Sequence, residues 1–128
     1  MRYTKKSKDD IKYDWVKLVD CDSQNMLFHG AVLRCVGKWP YEEIVDFMVF
    51  DNKKTDTGMG LIVTSGYKSG LILVYLPKES ESGHEQFIDY VNLDWLKQNW
   101  AKWVYPNCAV DDVYVFDGYQ PANCLPGI

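Results

Sequence analysis

The chain has 128 residues, enough for one domain, and hydrophobic residues make up 47% of it, which excludes an extensively disordered protein. Its net charge of −4 is uneven: residues 1–17 carry +3 and residues 18–128 carry −7, and such an acidic body argues against nucleic-acid binding. No apolar stretch approaches the ~20 residues of a membrane helix, and the start lacks a secretory signal, so we expect a cytoplasmic protein with no membrane partner.

Charge and composition divide the chain into three regions. Residues 1–14 are predicted to be a basic, flexible arm, residues 15–117 a single domain, and residues 118–128 a tail that contains proline and glycine. Internal repeats and low-complexity segments are absent from the sequence, so a repeat architecture is not expected.

The first half of the domain is predicted to consist of strands. Trp15–Val19 reads as a short strand, and Met26–Val36 reads as a longer one with a bulge at Gly30. Gly37 to Pro40 breaks the second strand, and the apolar run Ile44–Phe50 forms the next.

A hairpin is predicted between Gly58 and Pro77. Two apolar runs, Leu61–Val63 and Leu71–Leu76, flank a polar connection. This connection contains both S-x-x-K and K-[ST]-G, which are elements of serine acyl-enzymes. Those elements lie far apart in such enzymes, whereas here both use Lys68, so we interpret the connection as a turn rather than a catalytic loop.

One helix is predicted over Leu93–Val104, with Asn92 as its N-cap and Pro106 just beyond its end. Trp95 falls on the side opposite the apolar stripe, where either the hydrophilic 78–91 loop or the tail covers it, or it contacts a partner. A strand over Val110–Phe116 follows. The predicted core stripe of the helix consists of Leu93, Leu96, Trp100, Trp103 and Val104.

Several polar residues are candidates for catalysis or metal binding. Asp46 lies among apolar strand residues, where we expect an edge position or pairing with a lysine or Arg34, because a buried unpaired carboxylate is costly. Glu42 and Glu43 would point to opposite faces of a strand, which disfavours joint acid–base work. The four cysteines contain no C-x-x-C and, with two histidines, give no zinc spacing, so we expect no metal and no cofactor.

Several aromatic blocks occur together in an order that resembles the Immunity protein 45 family of bacterial polymorphic-toxin systems. The resemblance covers roughly residues 15–117. It implies a small cytoplasmic protein that binds and neutralises a toxin encoded beside it, and it carries over no catalytic residues. The blocks are Trp39–Met48, Thr64–Leu73, Trp95–Pro106 and Asp112–Val115.

We therefore predict an α+β domain: a mostly antiparallel sheet with one principal helix, about residues 93–104, packed on one face. The predicted function is stoichiometric inhibition of a toxin through acidic and aromatic contacts, without catalysis. Two alternatives stay open: a small hydrolase or transferase that uses Ser65 or Lys68, and a regulatory domain that binds a small molecule. The predicted partner-binding residues are Trp39, Tyr41, Glu42, Glu43, Tyr67, Lys68 and Trp95.

Overall fold

The computed structural model describes residues 15–22, 26–52, 58–82, 89–120 and 124–127, so the predicted basic arm over 1–14 lies outside the described residues. Within these ranges the chain forms eight strands and one long helix. The strands are β1 (Val16–Lys17), β2 (Val32–Val36), β3 (Ile44–Asp51), β4 (Met59–Val63), β5 (Ile72–Tyr75), β6 (Glu81–Ser82), β7 (Tyr90–Val91) and β8 (Tyr114–Phe116).

Six of these strands form one antiparallel sheet in the order β1-β8-β2-β3-β4-β5, and β6 pairs with β7 in a separate ribbon. The centre of the sheet is built on β3, which pairs with β2 from Val36 opposite Ile44 to Val32 opposite Met48. Strands β4 and β5 pair with each other, so the hairpin predicted between Gly58 and Pro77 is confirmed.

The predicted helix is present and covers one face of the sheet. It is α-helical over Leu93–Asn99 (α1) and continues as a π-helical turn over Trp100–Val104. The side chain of Asn92 accepts a hydrogen bond of 3.0 Å from the backbone N–H of Trp95, which confirms the predicted N-cap. The α+β class with a mostly antiparallel sheet is therefore confirmed.

The core lies between this helix and the sheet. Four residues of the predicted helical stripe are buried, whereas Trp103 is half-buried against them. The indole N–H of Trp100 donates to the backbone carbonyl of Cys108 at 3.0 Å, so the largest buried side chain keeps its one polar atom paired. The strand residues that face the helix are Leu33, Cys35, Val45, Phe47, Val49, Met59, Leu61 and Val63.

Two predicted strands are shorter than expected because 3₁₀ turns replace one end of each. The first strand stops at Lys17 and is followed by a 3₁₀ turn over Leu18–Asp20. The last begins only at Tyr114, after a 3₁₀ turn over Val110–Asp112 whose paired aspartates favour a turn.

The long strand predicted over Met26–Val36 is interrupted at Gly30. This glycine has φ +94°, a left-handed conformation in which the chain turns between Phe28 and Ala31, so the expected bulge is a turn instead. Residue Leu27 pairs separately with Val91 in an isolated bridge. A third 3₁₀ turn, Lys78–Ser80, follows β5; from the sequence, a hydrophilic loop is expected over residues 78–86.

The sheet face opposite the helix, here called the open face, keeps apolar side chains in contact with solvent. Val36 and Ile44 are 55% and 59% exposed, although they lie side by side on two central strands. Because side chains alternate along a strand, helix packing on one face leaves the other set of residues outside the core. The open face is formed by Arg34, Val36, Ile44, Asp46, Ile62, Tyr75, Tyr114 and Phe116.

Candidate functional site

Two connections at the same end of the sheet, residues 37–43 between β2 and β3 and residues 64–71 between β4 and β5, form what we call the tip. Trp39 is 90% exposed and Tyr67 is 91% exposed. Folding gains little from large aromatic side chains held in water, whereas such side chains dominate the energy of protein interfaces. The tip brings together Trp39, Tyr41, Glu42, Glu43, Tyr67 and Lys68 of the predicted partner-binding residues.

Glu42 joins the two connections of the tip through a hydrogen bond. Its Oε2 accepts a hydrogen bond of 3.0 Å from the backbone N–H of Tyr67, 25 residues further along the chain. This bond, together with one from its own backbone N–H, lowers the pKa of the Glu42 carboxyl below its usual value, because both bonds favour the ionised form. The exposed Tyr67 therefore projects from an ordered turn rather than from a free loop.

A hydrogen bond and aromatic contacts with core residues also hold the first connection in place. The hydroxyl of Tyr105, at the end of the helix, accepts a 2.8 Å hydrogen bond from the backbone N–H of Lys38. Tyr41 is half-buried, with its ring in edge contact with Tyr105 at 5.8 Å and with Phe47 at 6.0 Å between centroids. Burial, and then the neighbouring Tyr105, raise the pKa of Tyr41. Tyr41 thus anchors the connection that presents Trp39.

Gly66 allows the second connection to approach the first. Its φ of +70° is left-handed, and a Cβ at this position would collide with the carboxylate of Glu42. Gly70 also has a left-handed φ, of +94°, but a Cβ there would meet nothing within 4 Å. Both glycines therefore have a left-handed backbone, and Gly66 in addition leaves no space for a side chain.

These differences give a paired prediction. Gly66→Ala and Gly70→Ala should each destabilise the fold by about 1 kcal/mol through the left-handed backbone. Gly66→Ala should destabilise the fold more than Gly70→Ala does, because the new methyl group displaces the carboxylate of Glu42 and breaks its bond to Tyr67. Urea unfolding measures the difference, and amide hydrogen exchange at Tyr67 should speed up only in Gly66→Ala. Equal effects of the two substitutions would contradict this account.

Of the two catalytic candidates in the second connection, Ser65 has a structural role. The Oγ of Ser65 accepts a 2.9 Å hydrogen bond from the backbone N–H of Asp46, which ties the start of the connection to β3. Lys68 is half-buried, and its carbonyl accepts a bond from Leu71. Among the described residues, no group of three or more His, Cys, Asp or Glu side chains is placed to hold a metal ion. No helix in the described ranges has the length and apolarity needed to cross a membrane.

Trp95 is the one predicted partner-binding residue that the structure does not bring to the tip. It is half-buried, packs against the core, and its ring centroid lies 6.1 Å from that of Trp103. It precedes Tyr105, which contacts the tip, by ten residues, or about 15 Å along a helix. Trp103, from the last turn of the same helix, therefore covers part of the Trp95 ring, and residues 83–88 of the loop expected to cover it lie outside the described residues. A role of Trp95 in a partner interface stays a prediction.

The centre of the open face carries a partly buried ion pair, with Asp46 buried and Arg34 half-buried, as one of the predictions for Asp46 stated. Arg34 donates to both oxygens of Asp46, from Nε at 2.6 Å and from Nη2 at 2.8 Å. Tyr119, from the predicted tail, donates to Asp46 at 2.7 Å and bonds with the hydroxyl of Thr64 at 2.9 Å. Burial raises the pKa of Tyr119 to about 12, with the Thr64 bond acting in the opposite direction. The ring of Trp15 stacks on the guanidinium at 4.5 Å.

A cavity of about 450 Å³ opens on this face beside the ion pair, and the sequence analysis did not identify it as a site. One signal could have revealed it. The side chains of β2 and β3 are apolar at positions that face the helix and also at positions that face away from it, while the described part of the domain has one helix, which covers one face. The cavity is lined by Trp15, Arg34, Cys35, Val36, Ile44, Asp112 and Tyr114.

Comparison with known proteins gives one clear relationship. The family model described as Immunity protein 45 matches residues 18–115, most of the 128-residue chain and the whole of the tip. No curated protein and no solved structure is significantly similar to the chain. The match extends from the first 3₁₀ turn into β8 and confirms the resemblance seen in the aromatic blocks. The chain belongs to the Immunity protein 45 family.

Proposed function

We propose that this protein binds a cognate toxin, encoded by the neighbouring gene, and neutralises it stoichiometrically in the cytoplasm of the cell that makes both. The observation that carries the proposal is the pair of almost fully exposed aromatic residues, Trp39 and Tyr67, held on two connections that are bonded together. Family membership supports a toxin as the partner class.

Preorganisation makes the tip suitable for tight binding. Ordering a loop on binding costs free energy, and a loop that is already ordered avoids that cost. The bonds from Tyr67 to Glu42 and from Lys38 to Tyr105 fix both connections before a partner arrives. Two rigid aromatic side chains can then insert into a partner at low entropic cost.

Charge supports a basic partner. Glu42 and Glu43 are exposed at the tip, within a region, residues 18–128, that carries −7. An acidic surface attracts a basic one and increases the rate of encounter. The mechanism we propose is steric: the tip covers the toxin's active site or the path of its substrate, with no covalent step and no catalysis by this chain.

Co-expression tests this function directly. The toxin domain encoded beside the gene is expressed in a bacterial host, alone and together with this protein. We expect growth to stop with the toxin alone and to continue with both, and we expect the purified mixture to elute as a complex of one copy each. A toxin that still kills its host, or two proteins that elute separately, would refute the proposal.

The same assay separates inhibition from the catalytic alternative. Ser65→Ala removes the hydroxyl that a hydrolase would use, and it costs the fold one hydrogen bond to Asp46, about 1 kcal/mol. We expect the substituted protein to neutralise the toxin as well as the wild type does. Loss of protection by a folded Ser65→Ala protein would favour the enzyme.

Trp95 should contribute to stability rather than to toxin binding. Trp95→Ala removes a half-buried ring that packs on Trp103, and we expect the free energy of unfolding to fall by about 2 kcal/mol. The affinity for the toxin should change less than twofold, because Trp95 lies away from the tip. Thermal unfolding and isothermal titration calorimetry measure the two quantities. A stable variant with weakened binding would place Trp95 in the interface instead.

A further inference from the structure

The cavity on the open face adjoins the tip. Val36 and Ile44, which line it, are paired residues at the ends of β2 and β3 where the first connection of the tip begins and ends. A partner that covers Trp39 is therefore placed to reach the cavity as well. Both residues are more than half exposed, which folding alone does not explain when they lie side by side.

The chemistry of the cavity selects an uncharged, apolar group. Its walls are the rings of Trp15 and Tyr114 and the aliphatic side chains of Val36 and Ile44. Among the described residues that line it, the cation is Arg34, which already bonds to both oxygens of Asp46 and stacks on Trp15. An anion would have to displace these bonds. The volume of about 450 Å³ is within the range of ligand pockets and exceeds that of a large aromatic side chain.

One side of the rim of the cavity is acidic, at the 3₁₀ turn that precedes β8. Asp112 lines the cavity there, and the neighbouring Asp111 is exposed. These carboxylates would repel a second copy of this acidic chain and would attract cations on a partner.

We propose, on the basis of the proposed function, that the cavity receives an apolar side chain of the toxin, carried by a segment with a lysine or arginine residue next to it. The apolar side chain fills the space between Trp15 and Ile44, and the neighbouring cation faces Asp112. The cavity is then a second anchor point, separate from the aromatic residues of the tip, and it gives the interface a defined orientation.

The test uses the full-length protein and the purified toxin domain encoded beside its gene. Ile44→Ala removes atoms from the wall of the cavity, and Val36→Trp fills it. Ile72→Ala is the matched control, because Ile72 is an isoleucine of similar exposure (47%) on β5, two strands from Ile44. We expect the dissociation constant to rise about tenfold for Ile44→Ala and about a hundredfold for Val36→Trp, and less than twofold for the control. Thermal unfolding confirms that each variant is folded.

A second measurement tests the neighbouring cation. The dissociation constant of the wild type should rise with NaCl concentration, because salt screens charge pairs. Asp112→Asn together with Asp111→Asn should weaken binding at low salt by about tenfold and flatten this dependence. A wild-type affinity that does not change with salt would show that no lysine or arginine of the toxin pairs with the acidic side of the rim.

The outcomes separate the two proposals. If the wild type fails to bind the toxin, the proposed function is wrong. If the wild type binds and Ile44→Ala and Val36→Trp bind equally well, the toxin does not enter the cavity. A variant at Ile44 that loses stability but keeps its affinity would show that another part of this chain occupies the cavity, and that result also overturns the inference.

Discussion

Replacing Trp39 and Tyr67 together with alanine is expected to abolish protection against the toxin without weakening the fold. Each side chain is about nine-tenths exposed, so its removal should change the free energy of unfolding by less than about 0.5 kcal/mol. Central aromatic residues of interfaces contribute about 2 kcal/mol or more each, so the affinity should fall about a thousandfold. Calorimetry with the purified toxin domain and survival on co-expression measure the effect.

Tyr75→Ala is the control for this double substitution. Tyr75 is also an exposed aromatic residue, but it lies at the end of β5 away from the tip and packs against Phe50. We expect it to lower stability modestly and to leave the affinity for the toxin unchanged. Cells that survive with Trp39→Ala/Tyr67→Ala as well as with the wild type would show that the tip is not the inhibitory surface.

The largest loss of stability is expected from Arg34→Met. Asp46 is 3% exposed, and Arg34 supplies two of its charge-assisted hydrogen bonds. Removing the guanidinium leaves a buried carboxylate without its counter-charge, which should lower the free energy of unfolding by about 3 kcal/mol. Chemical denaturation at neutral pH measures this change. Lys38→Met, which removes an exposed lysine side chain, should change stability by less than about 0.5 kcal/mol.

A double-mutant cycle identifies the cause of that loss. Arg34→Met/Asp46→Leu removes both charges, so no unpaired carboxylate remains, and we expect it to recover most of the stability lost in Arg34→Met. Tyr119 would keep its bond to Thr64. If the double variant were no more stable than Arg34→Met, the loss would come from the stacking of Arg34 on Trp15 rather than from the buried charge.

The elements that the sequence predicted well are those whose signals are local. Asn92 and Pro106 mark the two ends of the helix within a few residues of it, and a 3.6-residue period places Leu96 and Trp100 on its buried side. The hairpin of β4 and β5 was likewise predictable, because its two apolar runs are bounded by Gly58 and Pro77.

The features that the sequence did not reveal depend on contacts between distant segments. Nothing near Glu42 indicates that its carboxylate will accept the N–H of Tyr67, because the bond exists only when β2–β3 and β4–β5 lie side by side. The pairing of Trp95 with Trp103 was missed because regular α-helical geometry separates them, whereas the last turn of the helix is a π turn. For Asp46 the sequence predicts an edge position or pairing with a lysine or Arg34, and the structure has the pair with Arg34.

The separation of the tip from the core has a consequence for how such proteins diverge. An immunity protein is useful only while it matches its toxin, so its recognition surface must change whenever the toxin changes. Here Trp39 and Tyr67 project from a frame held by Tyr41, Tyr105 and Glu42. If the tip is the recognition surface, as we propose, new side chains at the two projecting positions would alter specificity at little cost to folding. One scaffold could then give rise to a series of inhibitors, each selective for a different toxin.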